Sequence, residues 1–224
     1  MSFGDKKLSE IAVSVPGSTS LLREYDLDFC CGGSDTLAHA AAEKGLNLAE
    51  IETRLTELQN SKAENPEEYW VNATYPEIID HILVRYHQRH REQLQELIVL
   101  ADRVESVHGD REDCPIGVAA ELRNVYEDLS NHMMKEEHVL FPMIKAGNYM
   151  MAQMPIRMME MEHAEHGEHL DVLKSLTNNM MPPADACNTW RALYSGIQEF
   201  ADDLMMHIHR ENNILFPRVI AENH

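Results

Sequence analysis

Apolar residues recur three and four positions apart through most of the chain beyond residue 75, and this spacing is typical of amphipathic α-helices. The pattern predicts four long helices, over about 76–107, 115–145, 155–177 and 185–220. The segments between them, HGDREDCPIG, KAGNYMMAQMP and NNMMPPADAC, contain the clustered Gly, Pro and Asn residues that end helices. Short connections between long amphipathic helices favour an antiparallel up-down-up-down bundle.

The first 60 residues carry shorter helical patterns. They predict helices over about 8–15, 20–25, 36–44 and 48–58, and Asn47 with Glu50 forms a capping-box pattern at the start of the last one. The segment SKAENPEE that follows is predicted to be a polar linker. Because no stretch alternates with period two over the length of a strand, we predict an all-α protein with domains over residues 1–66 and 67–224.

A repeat relates the second and fourth long helices. HMMKEEHVLFPMI begins at His132 and HIHRENNILFPRVI begins at His207, so that a His, a Glu four residues later and a Leu-Phe-Pro run recur 75 positions apart. A shift of 76 relates residues 87–97 to residues 163–173 in the same way. Helices one and two are therefore predicted to form a hairpin, and helices three and four its copy, related by a pseudo-twofold axis.

The repeated His and Glu residues lie on the apolar faces of their helices, where leucines are expected. An ionised carboxylate in a bundle core is costly unless it is paired or bound to a metal, and two facing carboxylates also repel. A single H-x-x-x-E pattern commonly lies on the exposed face of an ordinary helix. Two copies in matching register, each with a histidine on its partner helix, predict a metal site instead. Imidazole with carboxylate suits iron, manganese or zinc.

Charge and composition exclude several other classes of protein. The net charge of −19 at pH 7 argues against a nucleic-acid partner, and the four cysteines contain no C-x-x-C pair for a zinc ribbon or a thioredoxin-type site. The fourteen methionines are scattered over several faces and connections, which indicates core filling and not a copper site. No run approaches the roughly 20 apolar residues of a membrane span, and no signal peptide is evident, so we expect a cytoplasmic protein with no membrane partner.

With the pattern H…H-x-x-x-E…H…H-x-x-x-E over four helices, the chain resembles the hemerythrin-like di-iron domains. The stretch YDLDFCCGG resembles the ScdA N-terminal module, and the two together resemble the repair of iron centres family over essentially the whole chain. The resemblance implies two non-haem iron ions per chain, bridged by carboxylates and by an oxo or hydroxo group, with Glu136 and Glu211 as the bridging carboxylates. The ligands that it implies are His87, His132, Glu136, His163, His207 and Glu211.

Two neighbouring histidines stay open as alternative ligands. His90 and His166 each lie three residues from an implied ligand, and spacing alone does not choose between them; the resemblance favours His87 and His163. Oxygen-carrying hemerythrins have a further histidine where this chain has Gly167. The resemblance therefore implies coordination positions that are open to a small molecule.

The adjacent thiols Cys30 and Cys31 precede a helix that is predicted to begin near Ser34 or Asp35. The dipole of that helix would lower the pKa of a thiol at its N-terminus and favour thiolate chemistry. We predict that the pair acts in redox or iron-transfer chemistry; the alternative is a buried turn of small residues. Cys114 and Cys187 lie in inter-helix segments and are predicted to have no role.

The implied function is the repair of iron-sulfur clusters damaged by nitrosative or oxidative stress, through iron donation, nitric oxide removal or both. The partners would be damaged iron-sulfur proteins, with nitric oxide or oxygen as small ligands. A homodimer formed through the N-terminal module is left open, as is the question whether the protein is an enzyme. The alternatives are an oxygen or nitric oxide carrier or sensor, and a redox enzyme such as a nitric oxide reductase or peroxidase.

Overall fold

The computed structural model describes residues 2–61 and 63–222. Within these residues the chain is helical and forms no β-strand beyond an isolated antiparallel bridge between Lys7 and Thr36, which confirms the all-α prediction. None of the helices in these residues is both long enough and apolar enough to cross a membrane. The chain divides into two compact units. The first extends to Ile78 and resumes at Met206, and the second is Ile79–Met205.

Short helices form the N-terminal part of the first unit, and their apolar faces meet in a core that includes Leu22 and Ile51, both fully buried. The hydroxyl of Ser18 donates to the carbonyls of Ile11, at 2.8 Å, and Val15, at 2.7 Å, which pairs backbone groups at the end of the first helix. These helices are α1 Leu8–Ser14, α2 Ser18–Glu24, α3 Leu37–Glu43, α4 Leu48–Asn60 and α5 Pro66–Asn72.

Longer helices follow, and several are interrupted by π-helical stretches with wider turns. The second unit contains the major part of them, and the segment from Met206 onward belongs to the first unit. In chain order they are α6 Tyr75–His81, the π stretch Ile82–His87, α7 Gln88–His108, α8 Val118–Lys135, the π stretch Glu136–Leu140, α9 Phe141–Lys145, α10 Tyr149–Leu176, α11 Asn188–Arg210, the π stretch Glu211–Leu215 and α12 Phe216–Ala221.

The helices of the second unit run antiparallel, as side-chain pairs along their contacts show. Residue numbers rise along one helix of each pair as they fall along the other, so α7 is antiparallel to α8 and α11, and α8 to α10. The pairs are Arg91–Glu137 and Arg123–Asp102 for α7 with α8 and the π stretch that continues it, His132–Glu162 and His169–Glu121 for α8 and α10, and Arg89–Glu199 and His108–Cys187 for α7 with α11 and the residue before it. The predicted antiparallel four-helix bundle is confirmed.

A glycine brings α7 and α11 close together. A Cβ atom at Gly196 would lie 2.7 Å from Cδ2 of Leu97, closer than real Cβ contacts allow. Leu97 is buried, as are Leu193 and Ile197 on either side of the glycine. The small residue thus lets a leucine of one helix sit against the backbone of the other.

The third long helix begins earlier than predicted. Its first residue is Tyr149, and Pro155, which was expected to start it, lies inside the helix. A proline in a helix interior loses one backbone hydrogen bond and costs roughly 3 kcal/mol. Here good helix formers flank it, and Ala152 and Ile156 are fully buried, so helix propensity and packing outweigh the loss. Near this proline, the helical structure is interrupted only between Lys145 and Tyr149, where Gly147 has a φ of 74°.

The predicted polar linker and capping box are both wrong in part. The linker contains helix α5, because Pro66 suits a first helical turn and the side chain of Asn65 accepts a hydrogen bond from the Glu67 amide at 3.2 Å. Lys62 lies outside the described residues. At the start of α4, Asn47 makes no side-chain cap, and Glu50 instead accepts from the Tyr25 hydroxyl at 2.9 Å. The domain boundary at residue 66 stays a prediction.

His169 provides a test of the contact between α8 and α10. Burial lowers its pKa, but hydrogen bonds with Glu121, at 2.6 Å, and Asp128, at 3.1 Å, outweigh burial and raise it above the usual value. A pKa raised by folding gives stability that is complete below the unfolded value near 6.5 and is lost as pH rises through the folded value. We expect His169→Gln to destabilise the protein at pH 5.5 by roughly 0.5 kcal/mol, a figure that allows for solvent screening, and by less at pH 9.

Urea unfolding at the two pH values measures this difference. Glu121→Gln should weaken the same contact, whereas Glu127→Gln, at an exposed position of α8, is the matched control for loss of a carboxylate. An effect of His169→Gln that is equal at both pH values would contradict the assignment.

Candidate metal centre

Four predicted ligands come together in the interior of the second unit. His87, His132, Glu136 and His163 are between 0 and 1% exposed. One carboxylate oxygen of Glu136, Oε2, lies 3.3 Å from Nε2 of His87 and 3.4 Å from Nε2 of His132. Nε2 of His163 lies 3.1 Å from Nε2 of His132, and the donor atoms of His132, Glu136 and His163 lie within 4.8 Å of one another. Glu136 therefore stands between two imidazoles, as a bridging carboxylate would.

Two glutamates orient these imidazoles from behind. Oε1 of Glu137 lies 2.9 Å from Nδ1 of His87, and Oε2 of Glu162 lies 3.0 Å from Nδ1 of His132. The hydrogen bond with His87 lowers the pKa of Glu137 to about 2, and the one with His132 does the same for Glu162. An ionised carboxylate only accepts hydrogen bonds, so Nδ1 is the donor in each pair and Nε2 is the ring nitrogen left to coordinate a metal. This carboxylate-histidine arrangement is the one that fixes metal-bound histidines.

A cationic side chain near the surface pairs with each of these two glutamates. Arg91 donates to Glu137 at 2.7 Å, and Lys135 donates to Glu162 at 2.7 Å. Sequence reasoning missed these two glutamates, although each is adjacent in the chain to an implied ligand: Glu137 follows Glu136, and Glu162 precedes His163. Adjacency was a signal, but only the helix contacts show which imidazole each carboxylate meets.

The first unit contains the second copy of the motif. His207 and Glu211 are buried, and Nε2 of His207 lies 3.3 Å from Oε1 of Glu211, one helical turn further on. Arg210, the residue before Glu211, is 3% exposed and forms an ion pair with Glu67 on α5. The guanidinium also lies over the ring of Trp70, 4.8 Å from its centroid.

The ion pair of Arg210 belongs to a buried polar group that sequence reasoning missed. Burial raises the pKa of Glu67, but the imidazole of His209, with Nε2 3.4 Å from Oε2, and the charge of Arg210 outweigh burial and hold that pKa below its usual range. Burial lowers the pKa of His209. His209 and Arg210, which lead to Glu211, thus hold their helix against α5.

The Leu-Phe-Pro runs account for the local backbone at both glutamates. Glu136 and Glu211 are the first residues of π stretches, and the amides of Phe141 and Phe216 donate to their carbonyls, five residues back. Each Phe precedes a proline, which has no N–H and whose ring crowds the carbonyl four residues back, so a regular α-helix is disfavoured there. The wider π turn relieves this conflict, and such turns are frequent at functional sites.

The two alternative histidines are also buried but have other neighbours. Nδ1 of His90 lies 3.4 Å from Oε1 of Gln93, and its ring packs edge-on against Phe200. The ring of His166 packs edge-on against His132, with 4.9 Å between centroids. Among the described residues, the closely spaced metal-ligand groups contain His87 and His163 and neither of the alternatives. Gly167 is a half-buried position of α10.

The Cys30–Cys31 turn differs from its prediction. The helix that follows begins at Leu37, not near Ser34 or Asp35, and the pKa of Cys30 is not lowered. A hydrogen bond with Cys31 and burial raise the pKa of the Cys30 thiol well above its usual range. A helix dipole acts over about one turn, and this thiol is too far from the start of α3 to gain from it. Cys30 is 5% exposed, and Cys31 is half-buried.

These donor sets fit iron. Neutral imidazole nitrogens with buried carboxylates are the ligands of non-haem iron, and the carboxylate behind each of two imidazoles raises its basicity. An ionised Glu136 at 0% exposure also needs positive charge close by, which a cation supplies.

Comparison with known proteins agrees with this chemistry. The model of the hemerythrin HHE cation binding domain matches residues 78–219, and that of the ScdA_N domain, a domain of unknown function, matches residues 4–59. The chain is 68% identical to a probable iron-sulfur cluster repair protein of Haemophilus influenzae, over 99% of this chain and all of the relative. It is 54% identical to the iron-sulfur cluster repair protein YtfE of Musicola paradisiaca over 98% of both chains, and of Citrobacter koseri over 99% of both.

The role of Glu162 behind the His132 imidazole can be tested by substitution. Glu162→Gln keeps the shape of the side chain but removes the charge that orients His132, so we expect iron to be bound roughly 10–100-fold more weakly. The measurement is the amount of iron that the purified variant keeps against a graded series of chelator concentrations. Glu165→Gln, at an exposed position of α10, is the control. Equal retention by both variants would show that Glu162 does not support the metal.

Proposed function

The chain belongs to the family of iron-sulfur cluster repair proteins with a hemerythrin HHE cation binding domain, and from this membership we propose that it repairs clusters damaged by nitrosative or oxidative stress. The observation that carries the proposal is the buried donor set of His132, Glu136 and His163. It lies inside the part of the chain that matches the cation binding domain.

We propose that two iron ions are held by six side chains, with Glu136 and Glu211 as the bridging carboxylates. The duplicated sequence motif supports this count, because each copy brings one glutamate with its histidine four residues before it. When bound, the iron pair would supply both a redox-active centre for nitric oxide or oxygen and a store of iron for a damaged cluster. The remaining proposed ligands are His87, His132, His163 and His207.

The chain's own residues control how iron is kept and released. Glu137 and Glu162 accept hydrogen bonds from Nδ1 of two imidazoles, which leaves Nε2 as the nitrogen for coordination. Phe141 stacks on His87 with 5.8 Å between ring centroids and covers the imidazole with apolar surface. Release of iron leaves buried carboxylates and imidazoles without a cation, so proton uptake accompanies release. Buried, oriented donors thus favour retention, and protonation favours release.

We propose that Cys30 and Cys31 take part in the repair reaction, in redox or iron-transfer chemistry. Their turn is attached to the segment that carries Glu211: the Asn212 side chain donates to the Cys30 carbonyl at 3.0 Å, and that of Asn213 to the Phe29 carbonyl at 2.8 Å. The turn that carries the thiols is thus hydrogen-bonded to the two residues that follow a proposed iron ligand, which supports a role in receiving an ion or an electron.

Several finer features are part of the same proposal. Damaged iron-sulfur proteins would be the clients, nitric oxide or oxygen would be small ligands at the iron pair, and the protein would act in the cytoplasm without nucleic acid or membrane. A homodimer and an enzymatic nitric oxide reductase activity stay open. A gas carrier or sensor is the alternative function, and it would bind nitric oxide or oxygen without passing iron to another protein.

The bridging assignment predicts the iron content of two variants. Purified protein should carry about two irons per chain, and Glu136→Ala or Glu211→Ala should each disrupt the pair, because a bridging carboxylate serves both ions. Elemental analysis gives the iron content, and the spectroscopic signature of coupled irons shows whether a pair remains. Glu165→Ala is the control. Unchanged iron content and coupling in both variants would refute the bridging role.

A repair assay tests the function itself. Iron-loaded protein is incubated with a cluster enzyme damaged by nitric oxide, and iron transfer, nitric oxide and recovered activity are followed together. Recovery with iron transfer supports donation, recovery with nitric oxide consumption alone supports removal, and nitric oxide binding without recovery supports the carrier. We expect Cys30→Ala/Cys31→Ala to slow recovery at least several-fold and Cys114→Ala/Cys187→Ala to leave it unchanged; recovery by the first variant at the wild-type rate would exclude the thiols.

A further inference from the structure

One carboxylate organises the turn that carries the adjacent cysteines. Asp28 accepts hydrogen bonds from three successive backbone amides: Oδ1 from Cys30 at 3.0 Å and from Cys31 at 2.9 Å, and Oδ2 from Gly32 at 2.8 Å. Oδ1 also lies 3.2 Å from Sγ of Cys30. Carboxylate and thiols therefore face the same point, and the amides hold the carboxylate in place.

The spacing of the donor atoms fits a single metal ion. The two Sγ atoms are 3.9 Å apart. Two thiolates bound to one ion at about 2.3 Å each, with a tetrahedral angle between them, would be about 3.8 Å apart. The donor atoms of Asp28, Cys30 and Cys31 all lie within 4.8 Å of one another. The same separation suits an S–H···S hydrogen bond, so the metal-free turn already holds the two sulfurs at the spacing that a shared ion needs.

The turn is rigid enough to keep this arrangement. A Cβ atom at Gly33 would lie 2.5 Å from the carbonyl oxygen of Phe29, so only glycine lets the chain fold back this closely. The amides of Asn212 and Asn213 hold the outer carbonyls of the turn, and the Phe29 ring packs edge-on against His209 at 5.4 Å between centroids. Preorganised donors bind metal without a cost for ordering the chain.

We propose that Asp28, Cys30 and Cys31 form a second metal site, which takes a divalent ion of borderline softness. Thiolates with one carboxylate select such ions over magnesium or calcium. Binding exchanges protons for metal: two thiols and one divalent ion give a dithiolate complex and two released protons, with no change of oxidation state. Three protein donors leave a position for water or a ligand of the recipient, as in sites that exchange what they bind.

The identity of the ion rests on the proposed function, under which it is ferrous iron in transit. Cys30 is nearly buried and Cys31 is half-buried, so the site faces the protein on one side and solvent on the other. The Cys30 carbonyl in this turn accepts a hydrogen bond from the side chain of Asn212. Asn212 directly follows Glu211, a proposed ligand of the iron pair. The two thiols are thus attached to the segment that carries a ligand of the pair, and they would give up their protons to an ion that reaches them from it.

Cobalt(II) is the probe, because thiolate ligands give it a near-ultraviolet charge-transfer band that imidazole and carboxylate ligands do not. We expect one equivalent of cobalt, added to iron-loaded protein, to produce this band, and Cys30→Ser/Cys31→Ser to abolish it. Asp28→Asn should weaken cobalt binding roughly ten-fold. Cys114→Ser/Cys187→Ser is the matched control, in which the band stays. Circular dichroism and retained bundle iron show that each variant is folded.

Absence of the band in the wild-type protein, or its persistence in the Cys30→Ser/Cys31→Ser variant, would overturn the site. As a second measurement, cobalt should protect Cys31 from alkylation at least ten-fold, as read by mass spectrometry; equal alkylation with and without cobalt would count equally against the proposal. These outcomes are separate from repair. A cobalt band without cluster repair would support the site and contradict the proposed function. Cluster repair without the band would support the proposed function and contradict the site.

Discussion

Carboxylates buried in the interior are the constraint on which the rest of this protein depends. Glu136 and Glu211 have no exposed surface, and a carboxylate in that position is stable only where positive charge and hydrogen-bond donors surround it. Around Glu136, two imidazoles, the carboxylates behind them and the cations outside form successive layers of donors and acceptors. The apolar core of the bundle is built around this polar centre, and the fold must therefore position polar atoms as accurately as it packs leucines.

The periodic part of this design was predictable from the sequence. Residues such as Leu129, His132, Glu136 and Leu140 share one face of a helix, and the repeat 75 positions later shows that the His–Glu pair is no accident of composition. Gly147 and Asn148 ended a helix as turn residues do. The long helices and their antiparallel order followed from local signals that tertiary contacts did not override.

Contacts between helices were not predictable in the same way. Glu162 meets His132 from another helix, thirty residues away, and nothing in its own surroundings in the sequence shows which imidazole it faces. Pro155 was misplaced because packing of Ala152 and Ile156 outweighed a local stop signal. The thiol of Cys30 was expected to sense a helix terminus, whereas burial and its neighbour Cys31 decide its acidity. For Glu162 the partner lies in a distant segment, and for Pro155 and Cys30 the deciding factor is burial, which the neighbouring sequence does not show.

The π turns that begin at Glu136 and Glu211 have a consequence for how the chain tolerates length changes. Each residue of an α-helix advances about 100° around the axis, so one residue more or less displaces every later side chain by more than a quarter turn. A wider turn absorbs such a displacement locally. Each glutamate therefore marks a change of helical phase, with the residues before it in one phase and Phe141 or Phe216 onward in another. A single-residue deletion after either glutamate would remove the residue that the wide turn accommodates. The four-residue spacing of histidine and glutamate would be kept, but the proline would enter a regular α-helix, where its ring crowds the carbonyl four residues back.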